Sequence, residues 1–246
     1  MQNLVAIEQY RPQQNALLAA LSAKECERLV NDLELVPLTL GQVLYDAGQT
    51  MSHVYFPLNC IISLLYVMKN GESAEIAIVG NEGMIGIALF MGGESTQSRA
   101  IVQNAGHAYR LKAQVLKDEF YSGGALMRLL LMFASALITQ MVQTAACNRH
   151  HPIDKQLCRW MLLSLDRLGS NQISMTEKLI GNMLGLSAAD VTKAANVLQK
   201  AGLIHYNAGA ITVLNRRGVE KRSCECYEVV KKESDRLLPH SVDVGQ

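Results

Sequence analysis

Near its middle the chain runs ALMRLLLMFASALITQMVQTAACN, residues 125–148, without proline or glycine and with one charged side chain. Leu126, Leu130, Phe133, Leu137, Gln140, Thr144 and Cys147 recur at alternating spacings of four and three, which places them on one stripe of a long helix. That is the pattern of a two-helix seam, and we read it as a dimer seam. Leu129, Met132, Ala136 and Met141 then offer a second face to the rest of the chain. The alternative is a helix whose stripe packs on its own domain. Either way the helix divides the sequence into a front half and a back half of different texture. Its apolar core is broken by Ser135, Thr139 and Gln140 and falls short of the roughly 18 apolar residues that span a bilayer.

The front half reads as a domain over 13–122. Residues 13–35 have helical character, with Ser22 and Glu25 spaced as a capping box, and Val36-Pro37 interrupts them. Short β-rich segments follow: QVLYDAG, SHVYFPLN, CIISLLYVMK, AEIAIVG, RAIVQNAG and HAYRLKA. Gly, Asn or Pro separates them, and Asn70-Gly71 suits a tight hairpin. Strands of this length and spacing predict a small sandwich or jelly-roll barrel.

The back half reads as a domain over 149–238, entered through Asn148-Arg149-His150-His151-Pro152, where proline ends the helical pattern at 148. Residues 154–169 form an amphipathic helix closed by Gly169, with Trp160 on its buried side. Two shorter helices come next, TEKLIGNMLGL and SAADVTKAANVLQKAG, then a short hairpin at HYNAGAITVL and one last helix at GVEKRSCECYEVVKKESDRLL. Gly181, Gly185 and Val191 have the spacing of a helix-turn-helix: a small residue at the crossing, a glycine turn and an apolar lock. Leu184, Leu186 and Ala194 are apolar where the helices meet. Ser187 with Asp190 caps the second helix, and Thr176 caps the first. The hairpin afterwards makes the winged variant.

Charge distribution agrees with a sensor joined to a nucleic-acid reader. Residues 1–148 carry 9 Lys and Arg against 12 Asp and Glu, and residues 149–246 carry 14 against 10, so −3 faces +4. The N-terminus lacks the basic and apolar regions of a signal peptide, so a cytoplasmic protein without membrane contact is expected. Six cysteines stand at 26, 60, 147, 158, 224 and 226, with no CxxC among them. A zinc or iron–sulfur site needs convergent ligands, usually in paired spacings, so no metal is expected and the thiols are read as reduced. On one continuous helix Cys224 and Cys226 would point about 200° apart, and His150-His151 reads as a solvated hinge. Cys147, ending the seam, is a place where oxidation would cross-link two subunits. No Ser/His/Asp arrangement, Walker loop or HExxH is present, so the chain is not read as an enzyme.

GQVLYDAGQTMSHVYF, IAIVGNEGMIGIALFMGG and MTEKLIGNMLGLSAADVTKAANVLQKAGLI…ITVLNRRGVE together resemble the family of the cyclic-AMP receptor protein and the fumarate–nitrate regulator (CRP/FNR), over about residues 15–238. The resemblance implies an α+β chain: a cyclic-nucleotide-binding-type β-barrel of the jelly-roll, double-stranded β-helix kind, a dimerisation helix over 123–148, and a C-terminal winged helix-turn-helix. It implies a homodimeric transcription regulator whose partners are double-stranded DNA, a second copy of the chain, and RNA polymerase or another protein.

The departures from the family pattern are specific. The family's nucleotide pocket uses Gly-Glu for the ribose and Arg-Ser for the phosphate. Here Gly86 is followed by Ile87, and the second pair is reversed as Ser98-Arg99. A one-residue shift on a strand turns the guanidinium to the other face. Gly83, Gly86, Ile87, Ser98 and Arg99 are thus the candidate effector pocket, and no cofactor or cyclic nucleotide is expected there. The family's base-reading positions become Ala188, Ala189 and Lys193, with Thr176, Ser187, Thr192 and Asn196 as neutral donors. Alanine offers a base edge only its methyl. Two further readings stay open: a protein-interaction module that kept the regulator fold, and a cyclic-nucleotide sensor with a rearranged pocket.

Overall fold

The computed structural model describes residues 10–207 and 209–238. The helical stretch expected over 13–35 is divided. A short turn at Ala16–Ala19 (α1) starts from Asn15, and Ala23–Val30 (α2) starts from the Ser22/Glu25 capping box. Asn15 is wholly buried: its side chain accepts from Leu17 N and Leu18 N and donates to Pro57 O and Gly83 O. Val36 and Pro37 do not merely break a helix but lie within strand β1, Glu34–Leu38. Pro37 fits there because β1 is an edge strand, where a missing amide leaves no ladder bond unmade.

The strands that follow are β2 (Val43–Tyr45), β3 (His53–Pro57), β4 (Ile61–Val67), β5 (Ser73–Val79), β6 (Ser98–Asn104) and β7 (Gly106–Lys112). They form two antiparallel sheets, ordered β1-β7-β3 and β2-β6-β4-β5. Gly71 takes positive φ in the β4–β5 turn. Val54, Phe56, Leu64, Ala100, Val102 and Leu111 fill the space between the sheets. This is the jelly-roll barrel that the sequence implied.

After Ala113–Tyr121 (α3) comes the long helix α4, Ala125–His150. It runs two residues beyond the expected end at 148. Only the residue directly before proline is pushed out of the helical region, and that residue is His151. By length and composition alone α4 could cross a membrane; in this fold one side of it lies against the barrel. Phe133 packs so closely on Gly83 that a Cβ there would sit 2.1 Å from the ring.

The back half comprises α5 (Ile153–Leu168), β8 (Gln172–Ile173), α6 (Glu177–Leu184), α7 (Ala188–Lys200), β9 (Ile204–Asn207), β10 (Ala210–Val213), α8 (Arg216–Arg222) and α9 (Glu225–Leu237). Gly169 closes α5 in the left-handed region. The expected single last helix is therefore two, broken at Ser223-Cys224, both of them in extended conformation. A second core joins Trp160, Ile180, Val191, Leu198 and Val219 to Ile61, Leu65 and Ile78 on the outer face of the barrel. The reader domain thus sits directly on the β4–β5–β6 sheet, and α9 returns along α4.

A buried polar strip runs through that junction. Ser63 Oγ lies 2.7 Å from Glu75 Oε2 and 2.6 Å from Gln103 Oε1, and Gln103 Nε2 donates to Ser164 Oγ on α5. Burial pushes Glu75 up to about 7, against the downward pull of Ser63, Arg159 and Arg167. One serine proton cannot serve two acceptors. A protonated Glu75 donating to Ser63 completes the chain of bonds.

Candidate nucleic-acid interface and sensor cavity

The helix-turn-helix is built as its spacing requires. A Cβ on Gly181 would come 2.6 Å from the Leu186 carbonyl, so the second helix crosses only because this residue has no side chain. Gly185 turns the chain with φ +68°, and Leu186 N donates back to Gly181 O. Val191 is fully buried at the crossing. Thr176 Oγ1 accepts from Leu179 N and caps α6; Ser187 Oγ accepts from Asp190 N and caps α7. Strands β9 and β10 form the wing, whose Ala208 lies outside the described residues. Tyr206 OH in the wing donates to Glu177, tying it to the start of α6.

The surface this scaffold presents is sparse. Thr176, Ser187, Ala188, Ala189, Lys193 and Asn196 are exposed, while Thr192 is half-buried. The hydroxyl protons of Ser187 and Thr192 are already used: Ser187 donates to Asp190 Oδ2 and Thr192 to Ala188 O. These two residues, expected as donors to DNA, keep only acceptor capacity in this geometry. Lys193 Nζ lies 3.6 Å from Asp190, on a well-exposed side chain that solvent screens. Of the basic residues after the wing, Arg216 is bound to Asp166 and Glu220 and Arg222 to Asp154. Among the described residues Lys178, Lys200, Arg217 and Lys221 make no ion pair.

The candidate effector residues separate into two groups. Ser98 shares the inward side of β6 with Ala100 and Val102, whereas Arg99 alternates outward and clamps Asp46 with two bonds. That guanidinium holds Asp46 below the usual carboxylate range. Gly86 takes φ +113° against Val54, and Gly83 makes room for Phe133; both serve packing. Ile87 and Ser98 do line a cavity of about 230 Å³, together with Tyr45, Leu64, Tyr66, Ile76, Ala88, Thr96, Gln97 and Met141. Its polar groups are neutral: burial pushes the Tyr45 phenol up to about 12, and Thr96 and Ser98 are hydroxyls 3.1 Å apart. Met141 belongs to α4, so an occupant would touch barrel and long helix together.

The seam expected on α4 requires correction. Leu126, Leu130, Phe133, Leu137, Gln140, Thr144 and Cys147 are all at most 6% exposed within a single chain. They pack on their own barrel and reader domain, as the alternative reading of the stripe has it. Gln140 shows why a polar residue can sit there: its side chain accepts from Ile78 N and donates to Ile78 O. The surface left open is another heptad stripe. Leu131, Ile138 and Val142 are 50%, 49% and 59% exposed, and Arg128, Ser135, Ala145 and Arg149 continue their spacing.

The cysteines also differ from expectation. Cys147 is wholly buried, so it cannot meet a partner subunit's thiol. Cys224 is the extended N-cap of α9 and only Cys226 is helical, so the two do not diverge but converge with Cys147 and His151. Single-helix geometry hid this arrangement; the break at Ser223 creates it.

A β-barrel with a cavity on its inner side, a long helix that contributes to the cavity's lining and a winged helix-turn-helix define a DNA-binding transcription regulator with a sensor domain. A family model described as a cyclic nucleotide-binding domain matches residues 35–121, and one described as a Crp-like helix-turn-helix domain matches 155–222. The chain belongs to the CRP/FNR family, whose members are regulators and not enzymes. A putative transcriptional regulator of that family from Eubacterium rectale shares 13% identity and a TM-score of 0.67, over 85% of this chain and 98% of that one. FixK2 from Bradyrhizobium japonicum shares 15% and 0.68, over 78% and 98%. The c-di-GMP-responsive regulator CLP of Xanthomonas campestris shares 13% and 0.61, over 78% and 99%. At these identities the likeness is one of fold. No curated protein matches the chain.

Proposed function

We propose that the protein is a cytoplasmic homodimeric regulator whose effector is a small neutral molecule. The dimer forms through the outward stripe of α4, and two α7 helices enter successive major grooves of a palindromic site, about 34 Å apart. The observation that carries the effector reading is the cavity beside Met141. It has hydroxyl donors and apolar walls, and no cation for a cyclic phosphate. An occupant shifts the dimer only if it binds the two arrangements of α4 unequally, and Met141 supplies such a contact. Bound DNA is held by few phosphate contacts, so affinity is modest and shape contributes to specificity. A dimer on its operator then acts by touching RNA polymerase or by excluding it.

A protein-interaction role for α7 is the second reading, favoured by Ala188 and Ala189 together with the exposed Val197, and by the exposed Leu179 on the neighbouring α6. Selection of bound fragments from a random duplex pool separates the two. A two-fold symmetric site with half-sites one turn apart supports the regulator reading. Absence of any enriched sequence, with only loose binding that vanishes in salt, would sink it and move the weight to a protein partner.

A further inference from the structure

We propose that Cys147, His151, Cys224 and Cys226 form a closed, mononuclear zinc site that pins the hinge between the long helix and the reader domain. The four donor atoms all lie within 4.8 Å of one another. Cys147 Sγ and Cys224 Sγ are 3.5 Å apart, and Cys226 Sγ and His151 Nδ1 are 3.6 Å apart. A tetrahedral ion with bonds of about 2.3 Å to sulfur and 2.0 Å to nitrogen sets edges of about 3.8 Å and 3.5 Å. The observed spacings fit those edges. An iron–sulfur cluster interposes several irons and sulfides between its cysteines and needs a wider frame. Three thiolates and one imidazole in a tetrahedron select zinc over harder divalent ions.

The surroundings complete the site. The three cysteines are at most 4% exposed and form a buried cluster of their own. His151 turns its other ring nitrogen, Nε2, toward Glu225 Oε1 at 3.3 Å, which fixes Nδ1 as the metal-facing atom. Gln156 holds the His151 carbonyl in place. Zinc with three thiolates carries a net charge of −1, and Arg159, 3% exposed, supplies the opposite charge. Its Nη1 donates to Thr144, one turn before Cys147, and its Nε has no partner among the described residues.

The ligands come from the last turn of α4, its C-cap, and the N-cap and second residue of α9. One ion therefore ties the end of the long helix to the helix that runs back along it, on both sides of the His151-Pro152 bend. The extended pair Ser223-Cys224 is what turns Cys224 inward to the other three ligands.

The test is metal content and cobalt spectroscopy on the full-length protein, neither of which depends on DNA binding. Protein purified without chelator is expected to carry about one zinc per chain. Cobalt(II) exchanged into it should give the intense visible bands of a tetrahedral thiolate site. Cys224→Ser or Cys226→Ser should lower metal affinity well over tenfold, since losing a residue that only orients a ligand already costs about 10–100-fold, while Cys26→Ser leaves it unchanged. Wild-type protein that takes up no stoichiometric zinc and shows no such cobalt bands would overturn the proposal, whatever the variants do. So would iron with acid-labile sulfide in the same protein, which would mean a cluster.

Discussion

The two stripes of α4 share one heptad spacing and have opposite fates. The inner stripe, from Leu126 to Cys147, contains three polar or sulfur residues and is buried throughout. The outer stripe carries Leu131, Ile138 and Val142, all apolar, and leaves them half in water. Average hydrophobicity would rank the two the other way toward the C-terminal end. The difference lies in partners: Gln140 has both backbone groups of Ile78, Thr144 has Arg159, and Cys147 has Cys224. A polar residue on a buried stripe marks a specific intrachain partner, because an unpaired polar group there would cost about 1–3 kcal/mol. An apolar residue on an open stripe marks a surface waiting for another molecule.

Truncating the inner stripe should have the largest effect. Phe133→Ala removes a fully buried ring from the barrel contact and should cost about 3–5 kcal/mol in urea unfolding; a cost under about 1 kcal/mol would contradict this packing.

Next comes the polar strip under the reader domain. The folded-state value for Glu75, about 7, lies above its ordinary 4.5. Its favourable contribution is therefore complete below pH 4.5, is lost as pH rises to 7, and stays lost above. Glu75→Gln keeps the bonds without the charge. It should gain roughly 3 kcal/mol over wild type at pH 8 and nothing at pH 4.5. Equal differences at both pH values would show that burial of charge is not the cause.

On the outer stripe the balance reverses. Ile138→Asp with Val142→Asp should change monomer unfolding by no more than about 0.5 kcal/mol per site, yet sedimentation should show monomer where wild type is dimer. A dimer unaffected by both changes would place the subunit contact elsewhere. Smallest of all is Lys193→Ala. It should weaken DNA binding by a similar factor on every sequence and reduce the salt slope by about 1 per subunit. A loss confined to one base position would instead make Lys193 a base reader.

Much of this was legible in the residues. Gly181, Gly185 and Val191 specify the helix crossing through sterics local to a dozen positions, and Ser187 and Thr176 cap where their types suggest. The outward turn of Arg99 followed from strand alternation alone. What sequence could not supply was long-range. Periodicity finds a stripe but not what covers it, so the inner face of α4 reads as a seam although the chain's own barrel covers it. Cys147 and Cys224 are 77 positions apart, and their meeting depends on an extended pair, Ser223 and Cys224, inside what read as unbroken helix. A signal was present: CEC begins only two residues after the basic end of a short helix, and Cys224 stands where an N-cap belongs. The donors of Ser187 and Thr192 were likewise spent on neighbours three and four residues away, a local competition that helix N-termini commonly show.

The sharing of one core by Ile61, Leu65 and Ile78 with Trp160 and Val191 has a consequence for how such a protein can change. Sensor and reader are not detachable cassettes. A hybrid spliced at Pro152 would bring a foreign reader onto a barrel face shaped for Met183 and Ser164, leaving apolar area uncovered on both parts. Drift in what the barrel senses and drift in what the helix reads are therefore bound to one another. A change of operator in this lineage has to be accepted by the sheet beneath it.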